Sequence, residues 1–132
     1  MSHFHLDHFG DLAPFLFAMR TARHTVSRSK ALIIAGGRGL RSLLKTIDDA
    51  GNYNLTSQSF AVLIKEVDPE SDFELLPGIT ARAISTPHRP ESLALRLTDI
   101  DGKKLVYTLD TGFSENLNTF ATAVDLLLMG CS

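Results

Sequence analysis

Three of the chain's five histidines fall within six residues, in the run His3-Phe4-His5-Leu6-Asp7-His8. In an extended segment residues i, i+2 and i+4 point to one side, so His3, His5 and Asp7 converge on a common face. If the chain then turns into a helix, His8 swings round beside Asp7. A strand-to-helix corner of this kind offers two imidazoles to one ion and a carboxylate plus an imidazole to another. Nitrogen and oxygen donors in that mix suit zinc, and also manganese or iron. The competing reading is a polar N-terminal stub or the remnant of a purification tag. A tag is normally a homopolymer of histidine, whereas Phe4, Leu6 and Asp7 interleave here.

A second constellation is Gly37-Arg38-Gly39-Leu40-Arg41-Ser42, which follows an apolar run and opens a helical pattern. It is a partial dinucleotide fingerprint, with Ser in the place of the third glycine. Arg38 and Arg41 could grip phosphates there, but no acidic residue sits ~20 positions on, where the fingerprint has one. A plain strand-to-helix turn, using the glycines' permissive backbone angles, is the other reading. Charge adds to the question. Residues 1–47 hold seven Lys/Arg against two Asp, and residues 48–132 hold six against thirteen acids. All seven early basics lie between Arg20 and Lys45, a stretch without an acid. Such a field attracts phosphate; solvated helix ends are the alternative.

The elements that must carry these residues follow from periodicity and turn chemistry. Asp11 is placed to N-cap a helix running to about Ala22, with Pro14 tolerated in its first turn. Residues 31–35 form a short apolar run with the length of a buried strand. In the helix expected over residues 40–50, Leu40, Leu43, Leu44 and Ile47 share one face. Strands are expected over residues 60–67, 79–85, 93–98 and 105–109, with Asp101-Gly102 as a hairpin turn. Ser114 then N-caps a third helix with Leu117, Phe120, Ala121 and Val124 inward, and residues 126–129 read as a last buried strand. Phe4, Phe9, Phe15 and Phe17 read as core and helix packing, Arg89 and Ser92 as surface positions, and Cys131 as an inert buried thiol. The order predicts an α/β (α+β) structure of mixed sheet flanked by helices.

The run from His3 to His8, continued by Phe9-Gly10-Asp11-Leu12, resembles the His-x-His-x-Asp-His signature of the metallo-β-lactamase superfamily, and its Gly-Asp-Leu tail is similar to the ribonuclease Z-like branch. Thr86-Pro87-His88 resembles the segment carrying that family's third histidine. Val106-Tyr107-Thr108-Leu109-Asp110-Thr111-Gly112 resembles the segment carrying its bridging aspartate. Alone, His88 would be a loop histidine and Asp110 a strand-end turn residue.

The resemblance implies one metal held by His3, His5 and His88, a second held by Asp7 and His8, and Asp110 bridging them. It implies a hydroxide shared by two Zn2+ (or Mn2+ or Fe) ions ~3.5–4 Å apart, with Asp7, His8 and Asp110 catalytic and Asp7 orienting or deprotonating the nucleophile. The implied activity is a metal-dependent phosphodiesterase of ribonuclease Z type, acting on RNA or a nucleotide. A lactone or ester hydrolase of the same superfamily is the alternative, as is an incomplete fragment that only binds metal or nucleotide. The family's sandwich uses considerably more chain, and its last second-metal histidine has no counterpart here. The 132 residues are therefore expected to be a partial domain, truncated at both ends, that binds at most one metal ion tightly. Open sheet edges would then invite dimerisation. Leu109 replaces the family's usual glycine, which puts a side chain against the metal loop.

Length and composition set outer bounds. With 44% hydrophobic and 21% charged residues, the chain is ordinary for one folded domain. No apolar run approaches the ~20 residues of a membrane-spanning helix. A single cysteine precludes an internal disulfide, and a cytoplasmic location is expected.

Overall fold

The computed structural model describes residues 1–25 and 27–130; Cys131 lies outside them. The chain divides into two compact units, one of Met1 and His3–Glu66, the other of Ser2 with the described residues from Val67 onward.

In the first unit, helix α1 (Leu6–Phe9) is followed at once by α2 (Leu12–Thr21), a 3-10 turn over Arg23–Thr25, strand β1 (Leu32–Gly36), helix α3 (Leu40–Gly51) and strand β2 (Val62–Glu66). β1 and β2 pair in parallel, Leu32 opposite Val62 and Gly36 opposite Glu66. A parallel pair needs a long crossover, and α3 supplies it. The expected stripe on α3 is real: Leu40 and Leu44 are buried and pack with Leu16, Ile34 and Leu55. Leu32, Val62 and Ile64 add the inner face of the strand pair, with Met1, Phe4 and Leu12 against the same cluster. Leu16 and Leu40 are fully buried, each contributing about 1.5–3 kcal/mol relative to exposure.

Two expectations fail in this unit. Asp11 stands at the N-cap of α2, which ends at Thr21 close to the expected bound, but its side chain makes no capping bond; Pro14, at the third helical position, has no N–H to offer it. Phe15 and Phe17 are each 45% exposed and are not core residues. One face of a ten-residue helix suffices for the core, and Leu16 occupies it.

In the second unit five strands run in the order β3 (Asp72–Leu76), β4 (Ile79–Ser85), β5 (Leu93–Thr98), β6 (Lys104–Leu109) and β7 (Leu126–Met129). The first four form an antiparallel meander, and β7 joins β6 in parallel. Helix α4 (Glu115–Phe120) makes that crossover, and Ser114 caps it as expected, its Oγ accepting the Leu117 N–H at 3.3 Å. Leu117 and Phe120 pack on Ile84, Ala94 and Val106 from adjacent strands. The Arg96 guanidinium lies 4.9 Å from the Phe120 ring centroid on that face. The Asp101-Gly102 hairpin is present, with Asp99 accepting the amides of Asp101 and Lys103.

The strand β3 is missing from the sequence reading, because acidic residues alternate through it. Its neighbour explains them: Arg82 on β4 bonds Asp72 at 2.8 Å and reaches Glu70 at 3.3 Å. A second correction concerns β7, which is an edge strand rather than a buried one. It has β6 on one side alone among the described residues, and Leu126, Leu127, Leu128 and Met129 are 41–59% exposed. No helix of the described residues is long and apolar enough to cross a membrane.

Candidate metal centre

The first unit holds four of the six candidate ligands. His5 is extended (φ −72°, ψ 145°) and is the N-cap of α1. Its carbonyl accepts the amides of His8 at 2.9 Å and Phe9 at 3.0 Å, so the chain turns immediately after it. That abrupt change of period, from two to 3.6, is what gathers the imidazoles. The His3 ring centroid lies 4.7 Å from that of His5, with planes at 82°, and 4.2 Å from that of His8. Asp7 is carried by α1, with Oδ2 3.4 Å from His8 Nε2. His3 is fully buried, whereas the Asp7 side chain is 77% exposed. The corner thus combines an enclosed imidazole with an open carboxylate.

The second unit holds the other two. His88 Nε2 and Asp110 Oδ2 are 3.8 Å apart, both side chains only about a fifth exposed. A web of short loop bonds sets the His88 backbone. Its N–H donates to the Thr86 carbonyl at 2.9 Å, and the Thr86 N–H donates to the Ser92 carbonyl at 3.1 Å. Ser92 is not a surface residue. It is 1% exposed; its N–H donates to the Arg89 carbonyl at 3.0 Å and its Oγ accepts the Arg89 N–H at 3.1 Å. Across the site, the Gly112 N–H donates to the Pro87 carbonyl at 3.1 Å. A Cβ on Gly112 would stand 3.1 Å from that oxygen, so a larger residue would push the Asp110 loop and the His88 loop apart by a few tenths of an ångström. Asp110 follows Leu109, whose φ of +52° is left-handed. Such a turn suits glycine; the leucine is held there against its preference.

The glycine turn at α3 is a structural turn with its own anion. Gly39, the N-cap of α3, has φ +99°. Oε1 of Glu66, at the end of β2, accepts the amides of Gly39 at 3.1 Å and Arg41 at 2.9 Å. A carboxylate of the chain therefore fills the place where the dinucleotide reading puts a phosphate. Most of the basic stretch is engaged as well. Arg20 donates to the Tyr53 carbonyl, Arg28 to those of Lys30 and Ala31, and Arg41 to that of Ile64, while Lys45 pairs with Asp49. Backbone carbonyls thus orient these guanidiniums.

No family model matches the chain. The "probable metallo-hydrolase" YhfI of Bacillus subtilis is 26% identical over 133 residues, covering all of this chain and 50% of the relative. The crystal structure of that metallo-β-lactamase fold protein aligns with a TM-score of 0.71 and 22% identity, over 96% of this chain and 45% of that one. The chain has the metallo-β-lactamase fold.

Other solved structures agree in fold. Human tRNase Z, short form, aligns over 96% of this chain and 54% of its own, with a TM-score of 0.71 at 20% identity. Zinc-bound PqqB of Methylobacterium extorquens covers 87% of this chain and 40% of its own, at 0.65 and 17%. An uncharacterised protein of Mycobacterium leprae is 32% identical over 136 residues, all of this chain and 45% of that protein. The chain spans about half the length of the curated relatives it matches. The α/β class and mixed sheet expected from the element order are those of the fold.

Proposed function

We propose that the chain acts in a metal-dependent hydrolase. The observation that carries this reading is the packing of three imidazoles and a carboxylate at the His3–His8 corner of a metallo-β-lactamase fold. The donor set fits divalent metal: neutral imidazoles and carboxylates are ligands for zinc and for manganese or iron. His3, His5 and His88 would hold one ion and Asp7 and His8 a second, with Asp110 shared. Bound ions supply Lewis acidity and lower the pKa of a water toward neutrality.

The chain's own residues have distinct tasks. His3, buried, fixes the corner; Asp7, exposed beside His8, is the carboxylate open to orient or take a proton from an attacking water. The Ser92 clasp and the Gly112–Pro87 bond keep the His88 and Asp110 backbones in place. Phosphodiesters, of RNA or of a nucleotide, are the substrates we assign, supported by the basic stretch and the likeness to human tRNase Z. The carbonyl-bound guanidiniums and the Lys45–Asp49 pair favour a second reading, an ester or lactone substrate. A cytoplasmic location is proposed on the single cysteine.

The test is calorimetric titration of the chain with zinc and with manganese, followed by assays on bis(p-nitrophenyl) phosphate and on a lactone. Metal binding that is lost in His3→Ala and in His88→Ala supports the shared site. No binding, or binding untouched by either substitution, defeats it. Lactone cleavage without phosphodiester cleavage defeats the substrate assignment alone.

A further inference from the structure

Beside Asp7 and His8 the first unit has a cleft of about 390 Å3, within the range of small-ligand sites. Phe9, Leu12 and Phe15 wall it, and Asp7, His8 and Asp11 supply its polar edge. Two features of that lining are unusual for a surface of packing residues. Phe15 is 45% exposed, although a phenyl ring gains most when covered. Asp11 stands at the head of α2 and is exposed, yet its carboxylate makes no capping bond there. The cleft therefore offers flat apolar walls and a carboxylate acceptor at one rim, adjoining the residues proposed to bind metal.

The matching ligand is flat, apolar on its faces and N–H-donating at its edge. An aliphatic chain satisfies the walls but leaves the carboxylate unmatched; an anion is repelled by it. Resting on the hydrolase reading above, we propose that this cleft takes a planar heteroaromatic ring bearing an amino group, of the nucleobase kind. In the substrate that ring lies next to the scissile phosphodiester. Phe15 and Phe9 supply the stacking surface, and Asp11 accepts from the amino group. Asp7 is left for metal. These are specificity residues, acting on which phosphodiester is held and not on the bond that breaks.

The test uses the metal-free 132-residue chain, so that ring binding is read independently of hydrolysis. Adenine, and purine as the same ring without the amino group, are titrated while amide and aromatic NMR shifts are followed. Adenine is expected to shift Phe9, Asp11, Leu12 and Phe15 saturably, with purine about tenfold weaker. Phe15→Ala should weaken adenine about tenfold, the scale of one base stacked on one ring. Asp11→Ala should bring adenine down to the affinity of purine. Both side chains are exposed, and retained shift dispersion elsewhere verifies the fold of each variant. Shifts scattered over the surface, equal binding of adenine and purine, or binding unchanged in both variants would overturn the proposal. Adenine binding without phosphodiester cleavage in the metal-loaded chain would leave the cleft standing and sink the hydrolase reading. Cleavage without ring binding would do the reverse.

Discussion

Replacing Glu66 by alanine separates a phosphate-binding glycine turn from a structural one. An α-helix begins with four amides that lack intrahelical acceptors, and at α3 the N-cap is Gly39, which has no side chain to serve them. Glu66 does so from β2, with one oxygen on two amides at 3.1 and 2.9 Å. Losing a side-chain cap costs about 0.5–2 kcal/mol, and losing the negative charge at the positive helix end about 0.3–1 kcal/mol more. Glu66→Ala is therefore expected to cost about 1–2.5 kcal/mol, and Glu66→Gln, which keeps an acceptor oxygen, about 0.3–1 kcal/mol. Urea unfolding followed by far-ultraviolet circular dichroism reads both. With a slope of about 1–3 kcal/mol per molar urea, the alanine variant's midpoint falls by roughly 0.3–2.5 M. Titration with inorganic phosphate, monitored at the amides of residues 39–41, gives the second arm. The native chain should show no saturable shift, and Glu66→Ala should gain one. Saturable phosphate binding at those amides in the native chain refutes the reasoning, as does an alanine variant as stable as the native one.

Three further outcomes follow from the second unit. Leu109→Gly should be more stable than Leu109→Ala by up to about 1.5 kcal/mol, since left-handed backbone costs a residue with a Cβ about 1–2 kcal/mol and glycine's extra freedom costs about 0.5–1. The usual order, alanine above glycine, would show that the strand end is not held left-handed. Ser92→Ala should destabilise by about 1–2 kcal/mol by stripping the buried acceptor of the Arg89 amide, with the His88 ring signals broadening; unchanged ring signals would show that this clasp does not position His88. Asp125 accepts the Lys104 N–H and the Lys103 ammonium, and these bonds, the backbone one foremost, hold its carboxyl below the usual value. Its contribution is thus complete above the ordinary carboxylate range and is lost as pH falls through the lower folded value. Asp125→Asn should flatten that part of the acid limb in a pH series of unfolding midpoints, and an acid limb identical to the native one would count against it.

The sequence was most legible where one local rule decided the outcome. Leu40, Leu44 and Ile47 announced a face of α3, Ser114 a cap, and Asp101-Gly102 a hairpin, because each acts through neighbours a few residues away. The His3–His8 run was legible for the same reason: extended backbone followed by a helix needs only local chain to gather imidazoles. Illegible features depended on partners distant in sequence. Asp72 and Glu74 look wrong for a strand until Arg82 is opposite; Pro77-Gly78 between the two runs was the available signal for that hairpin. Glu66 looks like a strand-end charge until α3 turns its amides toward it. Ser92 is the exception: its partner Arg89 is three residues away, but its burial depends on the packing around it. The leucines of β7 read as buried because apolar runs usually are, and nothing local distinguishes an edge strand from a central one.

The strand registers also set an order of assembly. In the meander, Ser85 meets Leu93 and Thr98 meets Lys104, so each pairing closes a short loop. The parallel pair joins Leu32 to Val62 across the whole of α3 and the segment after it, a closure that carries more entropy before any contact repays it. Folding should therefore start in the chain's second half, with β4, β5 and β6 protected from amide exchange before Leu63 and Ile64. During synthesis the sequence runs the other way: the histidine corner is made well before β2, which is needed to complete its unit. For that interval the proposed ligands His3, His5 and His8 stand without a finished scaffold.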